Sequence, residues 1–351
     1  MIYIGERPVG GGNPCFVVAE VGVNHNGDLG LARELIEASA EAGADAVKFQ
    51  SFRVEDLILP NVDKAPYQRR SSVAAETQTA MLKRLAVDEG FHVLMMEMCA
   101  EFHITYLSTP YDVASLDFLV DNAVAAVKIA STDANNLWFL EQVAARQVPV
   151  LLSTGMTTLS EIDEAYRTLL EGGCDELLLL HCTSSYPTAP TDVHLHAMTT
   201  LAEKFPVPVG FSDHTPSVGA SPYAVARGAC LVEKHVTIDR SMEGPDHAAS
   251  IEPNELATLI DEIRRVEQYL GSPHVGMTVA EEETRRSLQR NVVACRSLRP
   301  GDTITDDAVV MKRTGGSGIH AASWNKIRGR RVLKALRAGD IIEWHHLGTS
   351  T

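Results

Sequence analysis

The sequence predicts an α/β chain that folds as a TIM (β/α)8 barrel followed by a small, mostly β domain, and three observations carry that prediction. Apolar strand-like runs alternate with amphipathic helix-like segments from residue 15 to residue 270, and the pairs number eight. The runs are nearly continuous in apolar residues, as strands covered on both faces of a parallel sheet are. Beyond residue 286 the pattern changes to short strands and glycine-containing turns with little helix. A doubly wound open sheet is the competing architecture for the first part, and the count of eight favours the closed barrel.

The eight strands are read at 15–21 (CFVVAEV), 45–51 (DAVKFQS), 104–110 (ITYLSTP), 125–131 (AAVKIAS), 148–154 (VPVLLST), 176–182 (ELLLLHC), 208–214 (PVGFSDH) and 231–238 (LVEKHVTI). Helical patterns such as LGLARELIEASAEAG (29–43), LSEIDEAYRTLLEGG (159–173) and EPNELATLIDEIRRVEQYLG (252–271) follow them and end in glycine, a frequent helix terminator. The segment 271–286, GSPHVGMTVAEEETRR, breaks the alternation with Gly, Pro and a charge run and reads as a linker. Residues 1–270 are therefore assigned to the barrel and 287–351 to the β domain, whose turns are Pro300-Gly301-Asp302 and Ala338-Gly339-Asp340. A domain of that size is marginal by itself and is expected to lean on another surface.

Composition narrows the function classes. The 351 residues are 45% hydrophobic, enough for a large core. A net charge of -15 argues against general binding to a nucleic-acid backbone, while leaving room for small anions in a locally basic cleft. No apolar run approaches the roughly 20 residues needed to span a bilayer, and the N-terminus MIYIGERPVGGG has no signal-like apolar stretch. The cysteines 15, 99, 174, 182, 230 and 295 lack CxxC spacing and mostly sit in apolar runs, which favours reduced thiols and a cytoplasmic setting.

In a (β/α)8 barrel the site lies at the C-terminal strand ends, and every predicted strand carries polar residues there. They are Glu20, then Lys48 with Gln50 and Ser51, Ser108 with Thr109, Lys128 with Ser131 and Asp133, Ser153 with Thr154, His181 with Tyr186 beyond it, Ser212 with Asp213 and His214, and Glu233, Lys234 and His235. Some of the Ser, Thr and Asp residues can be explained as caps of the next helix. His214 and His235 end neighbouring strands, a placement suited to one divalent ion such as Mn²⁺ or Mg²⁺ with positions left open for substrate and water. Lys48 and Lys128 are candidates for a phosphate or carboxylate clamp, completed by hydroxyls of Ser153 or Ser212. They are also candidates for ion pairs with local carboxylates or for a Schiff base. Asp246, in the loop GPDHAAS, is placed over the mouth as a proton-transfer or orienting carboxylate. Strand alternation puts Glu233 and His235 on one face of LVEKHVTI and Lys234 on the other, where it requires an acidic partner among the helices.

Taken together, the motifs AEVGVNHNG, GADAVKFQ, LSTPYDVASLDFL, KIAS, LLSTGM, LLHCTSSYPT, GFSDHT, EKHVTID and GPDHAAS resemble the sialic acid synthase family, which includes N-acetylneuraminate, legionaminate, pseudaminate and spore-coat polysaccharide synthases. The stretch NVVACRSLRPGDTITDDAVVMKRTGGSGI is similar to the antifreeze-like (SAF) domain of those enzymes. The resemblance implies condensation of phosphoenolpyruvate with an N-acylated hexose, N-acetylmannosamine first and diacetamido-trideoxy hexoses next, to give a nine-carbon 2-keto sugar acid and phosphate. It further implies that His214 and His235 hold a divalent ion, usually Mn²⁺ with Mg²⁺ or Co²⁺ as alternatives. On the same grounds Lys48, Lys128, Ser131, Ser153 and Ser212 match phosphoenolpyruvate-binding positions, and Gln50, Thr109 and Tyr186 line the cleft. Glu20 and Asp133 match the family's acidic positions, although Ser131-Thr132-Asp133 stands where many members have Ser-Gly-Glu. Arg313 matches the arginine that one subunit offers to the acylamino group of the other's sugar, so a domain-swapped homodimer is implied, with Thr314 in place of the usual proline. A Schiff-base aldolase or lyase and a non-catalytic sugar-binding protein are the readings set against this one.

Overall fold

The structure, a computed structural model, describes residues 1–60, 62–64 and 76–349. Two compact units divide the chain, Met1–Gly271 and Ser272–Thr351.

The first unit opens with an antiparallel hairpin, β1 (Ile2–Ile4) and β2 (Arg7–Val9). Eight parallel strands follow: β3 (Phe16–Gly22), β4 (Ala46–Ser51), β5 (Thr105–Pro110), β6 (Val127–Ile129), β7 (Val150–Ser153), β8 (Leu177–Cys182), β9 (Val209–Asp213) and β10 (Leu231–His235). They close into a barrel in sequence order, with β10 paired to both β9 and β3. Side chains alternate between the barrel interior and the helix layer. Phe16, Val18, Ala46, Leu107, Leu151, Leu178, Leu180 and Leu231 fill the interior, and Ile2, Ile4 and Val9 of the hairpin pack with them. Fully burying each of the Val, Leu, Ile and Phe side chains among them contributes about 1.5–3 kcal/mol. The outer faces, among them Val17, Ala19, Val47, Phe49, Val232 and Val236, pack against the helices in the larger cluster.

Local chemistry sets the helix starts at the mouth. Asp28, Asp88, Asp112, Asn136 and Thr158 cap the helices Leu29–Glu41, Glu89–Glu101, Val113–Asp121, Leu137–Ala144 and Leu159–Glu171, each side chain accepting a backbone N–H of the first turn. At β3 the pairing register shifts between Glu20 and Gly22. Gly22 has φ +56, and a Cβ there would lie 3.1 Å from Glu20 Oε1 and 3.2 Å from Gln50 Nε2, so the close approach requires glycine.

The second unit holds the helix Val279–Leu288, the antiparallel pair β11 (Arg290–Ala294) and β12 (Val309–Arg313), and isolated bridges such as Val293–Ile341 and Leu298–Leu336. Val292, Leu298, Ile304, Ile319, Val332 and Ile342 are among its core residues. The turns at Gly301 and Gly339 have φ +94 and +96. The segment expected to be a linker thus contains most of a ten-residue helix, started by a reciprocal Thr278–Glu281 capping box. Among the described residues, no helix is long and apolar enough to cross a membrane, and all six cysteines are free thiols.

Candidate active site

The inward faces of β3, β4, β5, β6, β9 and β10 bring a buried charge cluster to the C-terminal end of the barrel. Lys48 Nζ lies 2.6 Å from Glu20 Oε2 and 3.6 Å from Glu233 Oε2, and it donates to Thr109 Oγ1 at 3.1 Å. Lys128 Nζ sits 3.9 Å from Glu233 Oε1 and donates to the Ile129 carbonyl. Ser212 Oγ donates to Glu233 Oε1 at 2.9 Å. Burial pushes the Glu20 carboxyl up to about 7 despite the adjacent Lys48, because Glu233 competes for the same ammonium. Burial acts on Glu233 too, but Lys128 and Lys48 outweigh it and hold that carboxyl down at about 2. For Lys48 the two carboxylates outweigh burial and raise its pKa, whereas Lys128, with a more distant partner, is lowered by burial. The cluster thus contains one firmly ionised carboxylate and one carboxyl poised near neutrality, the condition a general acid or base needs.

At the rim above it stand two imidazoles, with the ring centroids of His214 and His235 5.4 Å apart. His214 Nδ1 donates to the Thr183 carbonyl at 2.9 Å, which fixes the tautomer and leaves Nε2 with a free lone pair. His235 Nδ1 is buried and meets no hydrogen-bond partner. Burial lowers the His214 pKa to about 4 and that of His235 well below its usual value, so both rings are neutral at pH 7. Two neutral imidazoles, one with an orphaned buried nitrogen, form a donor pair that fits a divalent ion. Among the described residues no group of three His, Cys, Asp or Glu side chains is arranged to hold a metal, so further ligands would have to be water or substrate. Tyr186 packs against both rings, tilted to His214 at a centroid distance of 4.2 Å and edge-on to His235 at 5.8 Å.

The other sequence-derived candidates fall in different places. Asp246 is buried, its Oδ2 is 3.7 Å from the Cβ position of Gly22, and burial raises its carboxyl to about 6. Gln50 borders the same point. Ser131 accepts the Gly155 N–H at 3.0 Å and lies 3.1 Å from Cys182 Sγ, while Ser153 ends β7 buried. Asp133 is half-buried and bonded to Thr132 and Asn136; among the described residues no ion pair joins it to either lysine. Arg313 is exposed at the end of β12 in the second unit.

Not every polar strand end faces the mouth. Ser51 and Ser108 bond to each other, and Ser51 also meets His92 of a covering helix. His181 bonds the Val193 carbonyl, and Asp213 turns outward to Ser221 and Lys234. Alternation along each strand explains the sorting, since these residues have outward parity. Lys234 has an acidic partner on its outward face, but that partner is Asp213 at the end of the neighbouring strand β9 and not a helix residue, with Nζ 3.1 Å from Oδ2. Sequence reading missed a small cradle at Gly155, where a Cβ would lie 2.4 Å from Ser184 Oγ, 2.7 Å from Ser131 Oγ and 2.9 Å from Cys182 Sγ. Cys182 shares inward parity with Leu178 and Leu180, the signal that could have placed it.

Comparison with known proteins identifies the family of the chain. The NeuB family model matches residues 35–275 and the SAF domain model residues 289–348. The N,N'-diacetyllegionaminic acid synthase of Legionella pneumophila is 41% identical over 347 residues, covering 98% of this chain and 97% of that protein. The Campylobacter jejuni protein of the same name is 38% identical, over 93% of this chain and 98% of its own. The crystal structure of an N-acetylneuraminic acid synthetase from Leptospira borgpetersenii, in complex with citrate, superposes with a TM-score of 0.73 at 35% identity, covering 82% of this chain and 96% of that one.

Proposed function

The chain belongs to the NeuB family, carries a SAF domain and is an enzyme of the synthase type; from that premise we propose that it condenses phosphoenolpyruvate with an N-acylated hexose and water to give a nine-carbon 2-keto sugar acid and phosphate. The observation that carries the reading is the cluster of Lys48, Lys128, Glu20 and Glu233 beneath the His214–His235 pair. Relatives named for legionaminic and for neuraminic acid both match, so the proposal is made for the acceptor class, with N-acetylmannosamine and diacetamido hexoses as its members.

Lys48 and Lys128 would hold the anionic phosphoenolpyruvate, with the hydroxyls of Ser131, itself held by the Gly155 N–H, and Ser153 as donors to its oxygens. Glu20 is the base for the water that adds to the enol carbon, taking a proton at a carboxyl held near neutrality. Glu233, ionised throughout, keeps Lys48 and Lys128 charged and oriented. Asp246 borders Glu20 and Gln50 and is assigned to proton transfer at the sugar oxygen. Bound by His214 and His235, a divalent ion such as Mn²⁺ would supply Lewis acidity toward a carbonyl oxygen. Gln50, Thr109 and Tyr186 are assigned to the walls of the cleft. We further assign Arg313 to the acylamino group of a sugar bound by a partner subunit, in a cytoplasmic homodimer. No role is assigned to Asp133 beyond bracing the turn at Ser131.

The test is phosphate release from phosphoenolpyruvate across a panel of N-acyl hexoses with Mn²⁺. Turnover should require an acceptor, stop with chelator and be abolished by His235→Ala. A chelator-insensitive enzyme trapped by borohydride on Lys48 or Lys128 would replace this reading with the Schiff-base one.

A further inference from the structure

Lys234 and Asp213 are each about 1% exposed, and neither faces the mouth. They are register partners on β10 and β9, immediately before His235 and His214 in the chain. Asp213 is saturated with donors. Its Oδ1 accepts the Thr215 N–H at 2.8 Å and the Thr215 hydroxyl at 2.6 Å. Its Oδ2 accepts the Ser221 N–H at 3.1 Å, the Ser221 hydroxyl at 2.6 Å and the Lys234 ammonium at 3.1 Å. Lys234 Nζ also donates to the Thr215 carbonyl. Gly219, with φ +59, closes over this knot, because a Cβ there would fall 1.9 Å from Thr215 Oγ1. From the other side, the Thr188 N–H donates to the His214 carbonyl at 2.8 Å.

We propose that the buried Lys234–Asp213 pair is a clamp that fixes the His214 turn to the strand carrying His235, making both residues positioning residues for the imidazole pair. The argument is one of placement. His214 lies just past the end of β9, where the ladder no longer constrains it, and the turn Asp213-His214-Thr215 is tied to β10 through one ammonium contacting both of its flanks. A lysine reaches a carboxylate and a carbonyl together with three rotatable donors, whereas an aliphatic residue there would fill the space without joining the turn to the strand. A buried pair adds little net stability compared with apolar packing, so its use here is better accounted for by the geometry it imposes. The consequence for metal affinity rests on the reading of the two imidazoles as ligands; the clamp itself does not.

The experiment uses the full chain stripped of metal, as wild type, Lys234→Met, Lys234→Met with Asp213→Asn, and His235→Ala. Three quantities are read: the urea midpoint, the slowly exchanging imidazole N–H of His214 in ¹⁵N-histidine spectra, and Mn²⁺ affinity by calorimetry. Lys234→Met alone should lower the midpoint, because Asp213 is left buried and unpaired. The double variant should recover the midpoint yet lose the protected His214 N–H and bind Mn²⁺ about 10- to 100-fold more weakly, the size of effect seen when groups orienting a ligand are removed. A double variant that recovers the midpoint and keeps both the N–H signal and the affinity overturns the proposal, since the pair would then serve stability alone. Should wild type take up no Mn²⁺ while the N–H responds as expected, the clamp stands and the metal reading falls. His235→Ala should abolish Mn²⁺ binding and leave the His214 N–H in place. If the double variant does not fold, Ser221→Ala decides, because it removes one donor to Asp213 with both charges still paired. It should weaken Mn²⁺ by about threefold, and unchanged affinity and N–H protection would overturn the clamp.

Discussion

Replacing Glu233 with glutamine removes one negative charge from the centre of the buried cluster while keeping the shape of the side chain and an oxygen for Ser212. Lys48 and Lys128 lie 3.6 and 3.9 Å from its carboxylate, so at an effective dielectric of about 20 each contact represents about 4–5 kcal/mol of gross attraction. Relief of the carboxylate's own desolvation, several kcal/mol, offsets part of that loss. The net expectation is an unfolding free energy lower by about 3–5 kcal/mol, the usual cost of breaking a buried pair from one side. Urea unfolding followed by circular dichroism at pH 7.5 measures this, with and without inorganic phosphate. In the variant Lys48 keeps only Glu20 and Lys128 loses its ion-pair partner, so a phosphate dianion should raise the midpoint more than it does in wild type. A variant within about 1 kcal/mol of wild type, or one that phosphate stabilises less than wild type, would refute the assignment of Glu233 as the counter-charge of the anion site.

Three further outcomes follow from the geometry. His25 and His92 are buried on the helix side and lowered from 6.5 to about 4 by desolvation. The unfolded chain therefore binds more protons between those values. The stability they permit is complete above pH 6.5 and falls by about 1.4 kcal/mol per pH unit per histidine as the pH drops toward 4. A His25→Gln, His92→Gln double variant should flatten that slope in urea midpoints measured against pH, and an unchanged slope would count against the assignment. Gly155→Ala would place a methyl among Ser131, Ser184 and Cys182, so the KM for phosphoenolpyruvate should rise at least about tenfold, some 1.4 kcal/mol, with an unchanged KM contradicting the cradle. Mixing inactive Arg313→Ala with inactive His235→Ala protein should restore part of the activity if subunits complement one another, and none if each chain works alone.

The barrel was legible because its signal is periodic and repeated: buried parallel strands read as apolar runs, and eight of them recur at helix-length intervals. Boundaries moved for local reasons. β6 contracts to Val127–Ile129 because Ser131 already belongs to the 3₁₀ turn that carries Asp133. The helix Val279–Leu288 was obscured by a charge run and preceding Gly and Pro residues, although Thr278 and Glu281 spelled out its capping box. In the site, parity applied to LVEKHVTI placed Glu233, Lys234 and His235 on their observed faces. Position at a strand end alone, without the same step, puts Ser51, Ser108, His181 and Asp213 at the mouth, although they serve the helix layer. The Gly155 cradle joins Ser131 and Gly155, just past β6 and β7, with Cys182 and Ser184 at the end of β8, a long-range meeting that spacing in one sequence does not encode.

The hairpin at the chain's start has a consequence in time. Tyr3 N–H donates to Glu176 at 2.8 Å, and Ile2, Ile4 and Val9 pack with Leu178, Leu180 and Leu231. The hairpin, made before all eight barrel strands, therefore finds its packing partners only when strands made far later arrive. At about 5–20 residues per second, the apolar hairpin waits on the order of 10 to 45 s for β10 to be synthesised. Until then the floor of the barrel exists only as an exposed pair of short strands, and a hairpin made ahead of every barrel strand is among the last elements to be buried.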